Sequence, residues 1–558
     1  MKNNRRSFLQ KAGLLATATG LNLALPEAVS AEAIKKDDKN SIVASANNAV
    51  ADTTNGKVRG YTRNDIFTFK GIPYGADTAG QNRFMPPKKP KTWNDIKDCL
   101  VYGPISPQRP DSGWLQVEYG FLYQWIDGFQ DEDCLRLNVW TPSLTDGKKR
   151  PVMFWIHGGG FFSGSSQEHP SYDGENLSTL GDVVVVSINH RLNIFGHLDL
   201  SAFGSQYASS GNVGMLDIVA ALEWVRDNIT NFGGDKNNVT IFGQSGGGSK
   251  VITLMAMPAA KGLFHRAISQ SNSIVQVATN DYAKQLTEYI LEDLNITREN
   301  IAQIHHIKPA RLVEAIGVAE EKSGSAVPAD VGRSGLQPVV DGYILPTHPF
   351  DPVAPGISAN VTFMVGTTRN EASASINNAR MENLNEEGLK KKLSEKFNVK
   401  GDVVYKTLRK VHPDVKPVEI LSFISAQNPM AYLQASRKAA QNSAPVFLYM
   451  FAWHTPMLDA RPRSFHCSEI PFAFANTDKC ENYTGASNEA RKLGEKVAKA
   501  WINFARYGDP NHKGLPNWPA FKDNNGAMMV FDSKCEVKND PDGEARKMLQ
   551  RIYYDKEV

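Results

Sequence analysis

Short, almost uninterrupted runs of apolar residues recur along the chain from about residue 150 onward. The runs occupy residues 152–157, 183–188, 239–242, 267–269, 361–365 and 446–451. Such runs are typical of parallel strands that helices cover on both faces. Between the second and third runs, Leu216, Val219, Leu222 and Val225 recur at helical spacing. The pattern predicts an α/β protein with a largely parallel central sheet covered by helices on both faces.

Two segments outside these runs add to the predicted fold. Residues 56–60 and 66–71 predict short antiparallel strands with a turn between them, and so a small N-terminal antiparallel sheet. Late in the chain, Val497, Trp501 and Phe504 lie on one side of an amphipathic helix. We interpret this stripe as core packing. No repeat or linker interrupts the sequence, and we predict a single domain from residue 32 to residue 558.

The N-terminus carries the features of an export signal in their usual order. Arg5 and Arg6 lie in a polar segment, a moderately apolar stretch follows at 12–25, and small residues stand at Val29 and Ala31. The stretch is too short and too rich in Gly, Thr and Asn to span a bilayer. The segment resembles a bacterial twin-arginine signal. We therefore expect cleavage after Ala31 and a periplasmic or secreted mature protein.

Charge and composition exclude several classes of protein. The chain of 558 residues has 62 Lys and Arg against 59 Asp and Glu. This near balance gives no electrostatic reason to expect a nucleic-acid partner. Beyond residue 31, no apolar stretch is long enough for a membrane span, so we expect no membrane insertion of the mature chain. The sequence does not decide the oligomeric state.

The cysteines suggest neither a metal site nor a dense disulfide framework. They are Cys99, Cys134, Cys467, Cys480 and Cys535, and their spacing matches no metal-ligand motif. Their odd number leaves at least one free thiol. The sequence leaves two pairings open, Cys480 with Cys535 and Cys99 with Cys134.

The first candidate for chemistry is Ser245 in the segment Gly243-Gln244-Ser245-Gly246-Gly247. The segment matches the G-x-S-x-G pattern. The apolar run at 239–242 precedes it, and Val251, Leu254 and Met255 follow at helical spacing. Strand, sharp glycine-rich turn and helix form the nucleophile elbow, which exposes a serine hydroxyl above the edge of a sheet. A serine used in this way needs a nearby base that an acid orients.

A second glycine-rich segment, His157-Gly158-Gly159-Gly160, follows the apolar run at 152–157. Without side chains, its amide N–H groups are free to converge on an oxygen atom. An H-G-G-G segment upstream of G-x-S-x-G is the oxyanion-hole partner of the nucleophile elbow. The two motifs together therefore predict acyl-transfer chemistry.

Beyond these motifs, the chain resembles the type-B carboxylesterase family, which includes the cholinesterases. The resemblance covers nearly the whole mature chain, and its matching segments are 71–74, 83–84, 132–140, 155–161, 189–192, 211–214, 231–235, 267–271 and 340–346. It implies the α/β-hydrolase fold. It also implies hydrolysis of small-molecule carboxylic esters through an acyl-enzyme, with no metal or cofactor.

The resemblance also implies the site residues. The nucleophile is Ser245, the acid Glu371 and the base His466, and their order along the chain fits this fold. The implied oxyanion donors are Gly159, Gly160 and Gly246. Without the family resemblance, the sequence gives weaker support for the roles of Glu371 and His466. Glu371 follows a predicted strand, where a catalytic carboxylate belongs in an open α/β sheet. None of the 12 histidines stands out by composition, and His466 is favoured only because it follows the last predicted strand and precedes the acidic and apolar segment 469–472.

This chain departs from the family pattern at three informative places. Gly246 follows the nucleophile, where the family usually has Ala, and it keeps the N–H donor. Gln244 stands before the nucleophile, where the family usually has Glu, which removes a negative charge beside the serine. The segment 103–108 has Ser106 where the family carries a cysteine that pairs with the equivalent of Cys134. That bridge is therefore in doubt.

We expect the substrate to contact Gln244, Phe161 and Trp125. Trp125 belongs to an aromatic-rich loop that either lines the substrate gorge or simply packs; its aromatics are Trp114, Tyr119, Phe121, Tyr123, Trp125 and Phe129. Two alternatives to ester hydrolysis remain. They are amide or carbamate hydrolysis at the same site and, less favoured because the Ser, Glu, His and glycine set is intact, a non-catalytic cholinesterase-like binding protein.

Overall fold

The computed structural model describes residues 41–109, 116–323 and 335–555. The chain divides into two units, Met1–Ser41 and Ile42–Val558. All elements given below belong to the second unit. The export signal predicted for residues 1–31 lies outside the described residues, as does Trp114 of the aromatic-rich loop.

Strands occur throughout the second unit, and the described residues contain sixteen. They are β1 (Val50–Thr53), β2 (Gly56–Arg59), β3 (Tyr61–Arg63), β4 (Ile66–Pro73), β5 (Lys97–Asp98), β6 (Arg136–Thr141), β7 (Arg150–Ile156), β8 (Val184–Ile188), β9 (Gly234–Gln244), β10 (Arg266–Gln270), β11 (Ala278–Thr279), β12 (Val339–Val340), β13 (Thr362–Thr368), β14 (Val446–Phe451), β15 (Ala527–Phe531) and β16 (Glu536–Asn539).

Helices fill most of the connections between these strands, together with short 3₁₀ turns. They are α1 (Val117–Tyr123), α2 (Glu175–Gly181), α3 (Asn193–His197), α4 (Val213–Asn228), α5 (Gly246–Ala256), α6 (Asn280–Asp293), α7 (Pro309–Ser323), α8 (Glu386–Phe397), α9 (Gly401–Val411), α10 (Pro417–Ser422), α11 (Gln427–Ala439), α12 (Ile470–Ala473), α13 (Glu481–Thr484), α14 (Asn488–Tyr507) and α15 (Gly543–Gln550). None of these described helices is long and apolar enough to cross a membrane.

Eleven of the described strands form one mixed sheet, in the order β16-β15-β14-β13-β10-β9-β7-β8-β6-β4-β3. The strands from β15 to β8 in this order are parallel. Antiparallel strands flank them on both sides. The apolar runs of the sequence are the parallel strands, and the predicted largely parallel sheet is confirmed.

Both faces of the sheet are buried, because successive side chains along each strand point to opposite faces. Phe154 of β7 packs in one apolar core, into which Val186 and Ile241 also point. The next residue, Trp155, packs in a second core with Phe242. Each fully buried side chain of this size contributes about 1.5–3 kcal/mol.

Helices on both faces complete these two cores, as predicted. Helices α4 and α5 contribute to the first core, and α2 and α14 contribute to the second. Val497, Trp501 and Phe504 of α14 are fully buried there, so the amphipathic stripe is core packing, as we expected.

The N-terminal strands divide between two sheets. The small separate sheet contains β1, β2 and β5, with β1 antiparallel to β2 and β2 parallel to β5. Strand β4, predicted from residues 66–71, pairs instead with β6 of the large sheet. Its apolar residues Ile66, Phe69 and Ile72 are buried, and this burial favours the large sheet over an isolated hairpin.

The carboxyl ends of the parallel strands lie beside one another and mark one edge of the sheet. Ile156 at the end of β7 pairs with Gly243 of β9. Gln244 pairs with Gln270, the last residue of β10, and Thr368 of β13 pairs with the last residue of β14. The segments that carry Ser245, the predicted oxyanion glycines and Glu371 begin at or just after these strand ends, and His466 lies in the connection that follows β14.

Candidate active site

Ser245 lies at a sharp turn between β9, which ends at Gln244, and α5, which begins at Gly246. Its backbone dihedrals are φ 56° and ψ −122°, a conformation that costs a non-glycine residue free energy. Its N–H group donates to the carbonyl oxygen of Gln270 at 2.8 Å, which holds the turn against β10. Strand, strained serine and helix are the elbow that the motif predicted.

The backbone of Gly246 packs directly on the backbone of Gly160. A Cβ atom at Gly246 would lie 2.3 Å from both N and O of Gly160 and 2.4 Å from its Cα atom. No side chain fits at this position unless the 157–160 loop moves. Two of the three predicted oxyanion donors are therefore in direct contact.

The 157–160 loop turns through left-handed backbone conformations at Gly159 (φ 76°) and Gly160 (φ 64°). The carbonyl oxygen of Gly159 accepts a hydrogen bond from the N–H group of Ser163 at 3.0 Å. A Cβ atom at Gly159 would lie 2.3 Å from the carbonyl oxygen of Ser163. Glycine is thus required in this loop both for its conformation and for its packing.

The structure brings Glu371 and His466 together, although 94 residues separate them in the sequence. Nδ1 of His466 donates to Oε2 of Glu371 at 2.5 Å. The other carboxylate oxygen of Glu371 accepts from the N–H group of Thr368 at 2.9 Å. The Glu371 side chain is 2% exposed and the His466 side chain 28% exposed. The carboxylate is thus enclosed, while the imidazole faces open space.

Asn370 joins the two loops that carry this pair. Its N–H group donates to the carbonyl oxygen of Ser464 at 3.1 Å, and its side-chain oxygen accepts from the Ser464 hydroxyl at 2.8 Å. Its amide group also donates to the hydroxyl of Ser422 at 2.6 Å. These buried hydrogen bonds position the loop after β13 against the loop after β14.

The surroundings of His466 favour its protonated form. Burial by itself lowers the pKa of His466, but Cys467 and the Glu371 carboxylate raise this pKa well above 6.5. Burial also raises the pKa of the Cys467 thiol above 9.0, so the thiol is neutral at pH 7. Glu371 is therefore the charge that stabilises the imidazolium.

Gln244 lies against the imidazole rather than out in open space. It is 1% exposed, and its amide nitrogen lies 3.4 Å from each ring nitrogen of His466. Its amide oxygen accepts a hydrogen bond from the Cys467 thiol at 3.2 Å. The predicted substrate contact is thus also a contact of the histidine.

The structure does not join Ser245 to His466. The Ser245 hydroxyl makes no hydrogen bond to His466 or to any other residue that the structure describes. Hydrogen bonds of this kind are often long in unliganded sites and tighten when a substrate binds.

The two aromatic residues predicted to contact substrate lie in different surroundings. Trp125 stacks on Tyr123 with ring centroids 5.1 Å apart, and the Tyr123 hydroxyl donates to the carbonyl oxygen of His466 at 2.7 Å. Phe161 is 6% exposed and packs edge-on against His197 at 5.5 Å. Trp125 is therefore close to the histidine loop, whereas Phe161 is buried against His197.

Two buried charged groups near the site had no predicted role. Glu469 is fully buried, and burial together with the charge of Glu371 raises its pKa to about 7. Lys250 is also fully buried and contacts the 157–160 loop. A lysine within the apolar face of a predicted helix was the signal in the sequence that could have revealed Lys250.

All five cysteines lie among the described residues, and all are free. Neither of the pairings that the sequence left open, Cys480 with Cys535 and Cys99 with Cys134, is formed. Within the described parts of the second unit, no group of three or more His, Cys, Asp or Glu side chains is placed to hold a metal ion.

Comparison with known proteins adds an independent line of argument. The model of the Carboxylesterase family matches residues 47–548. The para-nitrobenzyl esterase of Bacillus subtilis (strain 168) is 36% identical over 519 residues, covering 90% of this chain and 98% of that protein. The phenmedipham hydrolase of Pseudarthrobacter oxydans is 31% identical over 507 residues, covering 88% of this chain and 97% of that protein.

Solved structures give the same likeness. An esterase from anaerobic Clostridium hathewayi, described as able to hydrolyse aliphatic aromatic polyesters, superposes with a TM-score of 0.80. The two chains are 35% identical, and the match covers 92% of this chain and 99% of the other.

Proposed function

Because the chain belongs to the carboxylesterase family and is a carboxylic ester hydrolase of the α/β-hydrolase fold, we propose that it works through an acyl-enzyme on Ser245. In this proposal His466 is the general base and Glu371 orients it. The amide groups of Gly159, Gly160 and Gly246 form the oxyanion hole.

The first half of the reaction transfers the acyl group to the enzyme. The Ser245 oxygen attacks the carbonyl carbon of the ester while its proton passes to Nε2 of His466. The electron pair of the C=O bond moves to the oxygen, and the glycine amides stabilise this oxyanion. The tetrahedral intermediate then collapses, and the alcohol leaves with the proton held by His466.

The second half repeats these steps with water. His466 takes a proton from a water molecule, whose oxygen attacks the acyl carbon. The second tetrahedral intermediate expels the Ser245 oxygen, which recovers its proton from His466. The products are one carboxylic acid and one alcohol, and the enzyme returns to its starting state.

One observation carries the proposal: the 2.5 Å hydrogen bond between Glu371 and His466 lies at the same sheet edge as the strained Ser245 turn. Because Nδ1 is bonded to Glu371, Nε2 is the ring nitrogen that acts on the serine in this proposal. The enclosed Glu371 carboxylate then faces the charge that develops on the imidazole. No other serine in the chain occurs within a G-x-S-x-G segment.

The aromatic residues beside His466 support a preference for neutral esters with an apolar or aromatic group. Tyr123, Trp125 and Phe465 belong to one cluster at this side of the site, where an apolar group gains free energy by leaving water. The test is kcat/KM across a panel of purified esters that vary separately in acyl chain and alcohol. A preference for charged esters would overturn this part of the proposal.

The nucleophile is tested with Ser245→Ala and the matched control Ser249→Ala, one helical turn later. The Ser249 hydroxyl donates to the side chain of Asn272. Ser245→Ala should lose about 10⁴-fold or more in kcat with an unchanged unfolding midpoint. Ser249→Ala should retain most activity. Substantial activity in Ser245→Ala would reject the proposed nucleophile.

We also propose export through the twin-arginine route, which the order of signal features in residues 1–31 supports. Replacing Arg5 and Arg6 with Lys should leave an active enzyme in the cytoplasm. N-terminal sequencing of exported protein should begin at Glu32. An exported protein that still begins at Met1 would contradict cleavage after Ala31.

A further inference from the structure

Lys250 is a buried lysine whose amino group contacts the 157–160 loop. It lies on α5, one helical turn beyond Ser245, and its side chain is fully buried. Its Nζ atom donates to the carbonyl oxygens of His157 at 3.1 Å and Gly158 at 3.3 Å. Burying an ammonium group costs several kcal/mol. The hydrogen bonds that Lys250 makes to the loop carbonyls offset part of this cost.

The carbonyl oxygen of Gly158 accepts from a second donor. Nδ1 of His157 donates to the same oxygen at 3.0 Å. Burial, and then the charge of Lys250, lower the pKa of His157 well below 6.5, so this imidazole is neutral. The Gly158 oxygen is thus held by the Lys250 amino group and one neutral N–H group.

The orientation of the Gly158 carbonyl determines that of the Gly159 amide. Within one planar trans peptide, the C=O of Gly158 and the N–H of Gly159 point in opposite directions. A carbonyl fixed toward Lys250 therefore fixes the N–H group that points away from it. Hydrogen bonds to the carbonyl also polarise the peptide and strengthen its N–H as a donor.

We propose that Lys250 is a positioning residue for ester hydrolysis, which holds the carbonyl groups of His157 and Gly158 so that the Gly159 amide meets the oxyanion. The inference rests on the proposed function, because it requires Gly159 to be an oxyanion donor. Lys250 touches no reacting atom and acts through the peptide groups of the loop.

The charges around Lys250 agree with this role. Burial lowers the pKa of Lys250 to about 7, and Glu168 is the acidic side chain that acts in the opposite direction. The other ionisable groups that face it are His157, His190 and His197, and burial with the charge of Lys250 lowers the pKa of each one. The three histidines are therefore neutral. Lys250 carries the positive charge beside the loop when the pH is below about 7, and its Nζ atom can donate to the carbonyl oxygens in either protonation state.

The chain offers a matched control in Lys438. This lysine is also fully buried, and its Nζ atom donates to the carbonyl oxygen of Ala359 and to the side chain of Gln441, both at 2.7 Å. Ala359 precedes the amino end of β13, whereas Glu371 follows the carboxyl end. Lys438 is thus a buried lysine at the opposite edge of the sheet.

The test compares Lys250→Met, Lys250→Gln and Lys438→Met with the unaltered enzyme on a neutral ester. Rates are expressed per active site titrated with a phosphonate, so that partial misfolding does not lower kcat. Lys250→Met should reduce kcat by about 10- to 100-fold, with KM changed less than about threefold, since oxyanion contacts form mainly in the transition state. Lys250→Gln, which retains an N–H donor, should recover part of kcat.

A trifluoromethyl ketone supplies a second readout, because it binds as a tetrahedral oxyanion. Its inhibition constant should rise in Lys250→Met by about the factor lost in kcat/KM, and should not change in Lys438→Met. An unchanged kcat and inhibition constant in Lys250→Met, or an effect confined to KM, would overturn the proposal. Ser245→Ala, measured in parallel, distinguishes a failure of the proposed function from a failure of the proposed role of Lys250. Activity retained there would refute the proposed function, whereas loss there with an unaffected Lys250→Met would refute only the role of Lys250.

Discussion

The two sides of the site are held by different kinds of contact. The proposed oxyanion side, formed by residues 157–160 and the start of α5, consists of backbone groups packed so closely that a Cβ atom at Gly246 would approach Gly160 to 2.3 Å. The proposed acid–base side consists of Glu371, His466 and the side chains around them, joined by hydrogen bonds and charge. Gly159 and Gly160 of the first side are half-buried, and the imidazole of the second is 28% exposed.

The difference predicts two kinds of defect. Changes on the oxyanion side alter the position of amide groups and should lower kcat at every pH. Changes on the acid–base side alter the stability of the imidazolium and should move the pH at which activity is lost. Rate and pH profile measured together therefore distinguish the two sides.

Among the variants that distinguish the two sides, Glu371→Gln should have the largest effect on activity. It removes the charge that stabilises the imidazolium, and we expect kcat/KM to fall roughly 10³-fold. Glu371 raises the pKa of His466 and burial lowers it, so the acid limb of kcat/KM against pH should move to lower pH.

The matched control for Glu371→Gln is Glu382→Gln, which removes a carboxylate from the ion pair with Arg463. It should lose stability but keep both kcat/KM and the position of the acid limb. An acid limb that stays in place in Glu371→Gln would show that another group determines the pKa of His466.

Gly246→Ala tests the packing of the oxyanion side. The added methyl group must push residues 157–160 away, and we expect kcat to fall by about 10²-fold, as when an oxyanion donor is lost. The acid limb should not move. Gly356→Ala, where the added atom meets open space, is the control. A variant with full activity would mean that the loop can shift without loss of function.

Gln244→Glu should have the smallest effect, because it keeps the shape of the side chain and replaces only an amide nitrogen whose contacts with His466 are long, at 3.4 Å. A carboxylate beside His466 stabilises the imidazolium. Since the base must be deprotonated to act, a raised pKa moves the acid limb of kcat/KM to higher pH. Relative kcat/KM for a cationic ester over a neutral ester of similar size should improve by about 1 kcal/mol.

The unaltered enzyme, with a neutral amide at position 244, should show little preference for the cationic ester. Gln206 is exposed, and Gln206→Glu serves as the control because it adds the same charge away from the site. A strong preference for cationic esters in the unaltered enzyme would assign cation recognition to another group, such as the Trp125 ring.

The oxyanion side was the more predictable from sequence, because glycines required for turns and close packing appear as motifs. The strand before Ser245, the helix after it and the H-G-G-G segment were all recognisable. The pairing of Glu371 with His466 rested on the family resemblance, because no local pattern reveals which of 12 histidines meets a carboxylate 95 residues earlier.

The contacts of Gln244 and Lys250 could not be derived from sequence, for a physical reason. Periodicity indicates that a residue is buried, but not which carbonyl or ring it meets inside. Gln244 contacts His466 across 222 residues, and Lys250 contacts the 157–160 loop across more than 90. The placement of β4 in the large sheet was not predicted for the same reason, because the sequence of a strand does not determine which strand it pairs with.

The central claim, an acyl-enzyme on Ser245, is tested most directly by covalent labelling. The purified enzyme is incubated with a p-nitrophenyl phosphonate ester until it no longer hydrolyses a carboxylic ester substrate. Its peptides are then mapped by mass spectrometry. The account predicts one phosphonyl group per chain, on the peptide that contains Ser245, and none on Ser245→Ala. Complete inactivation with the label on a different residue would contradict it.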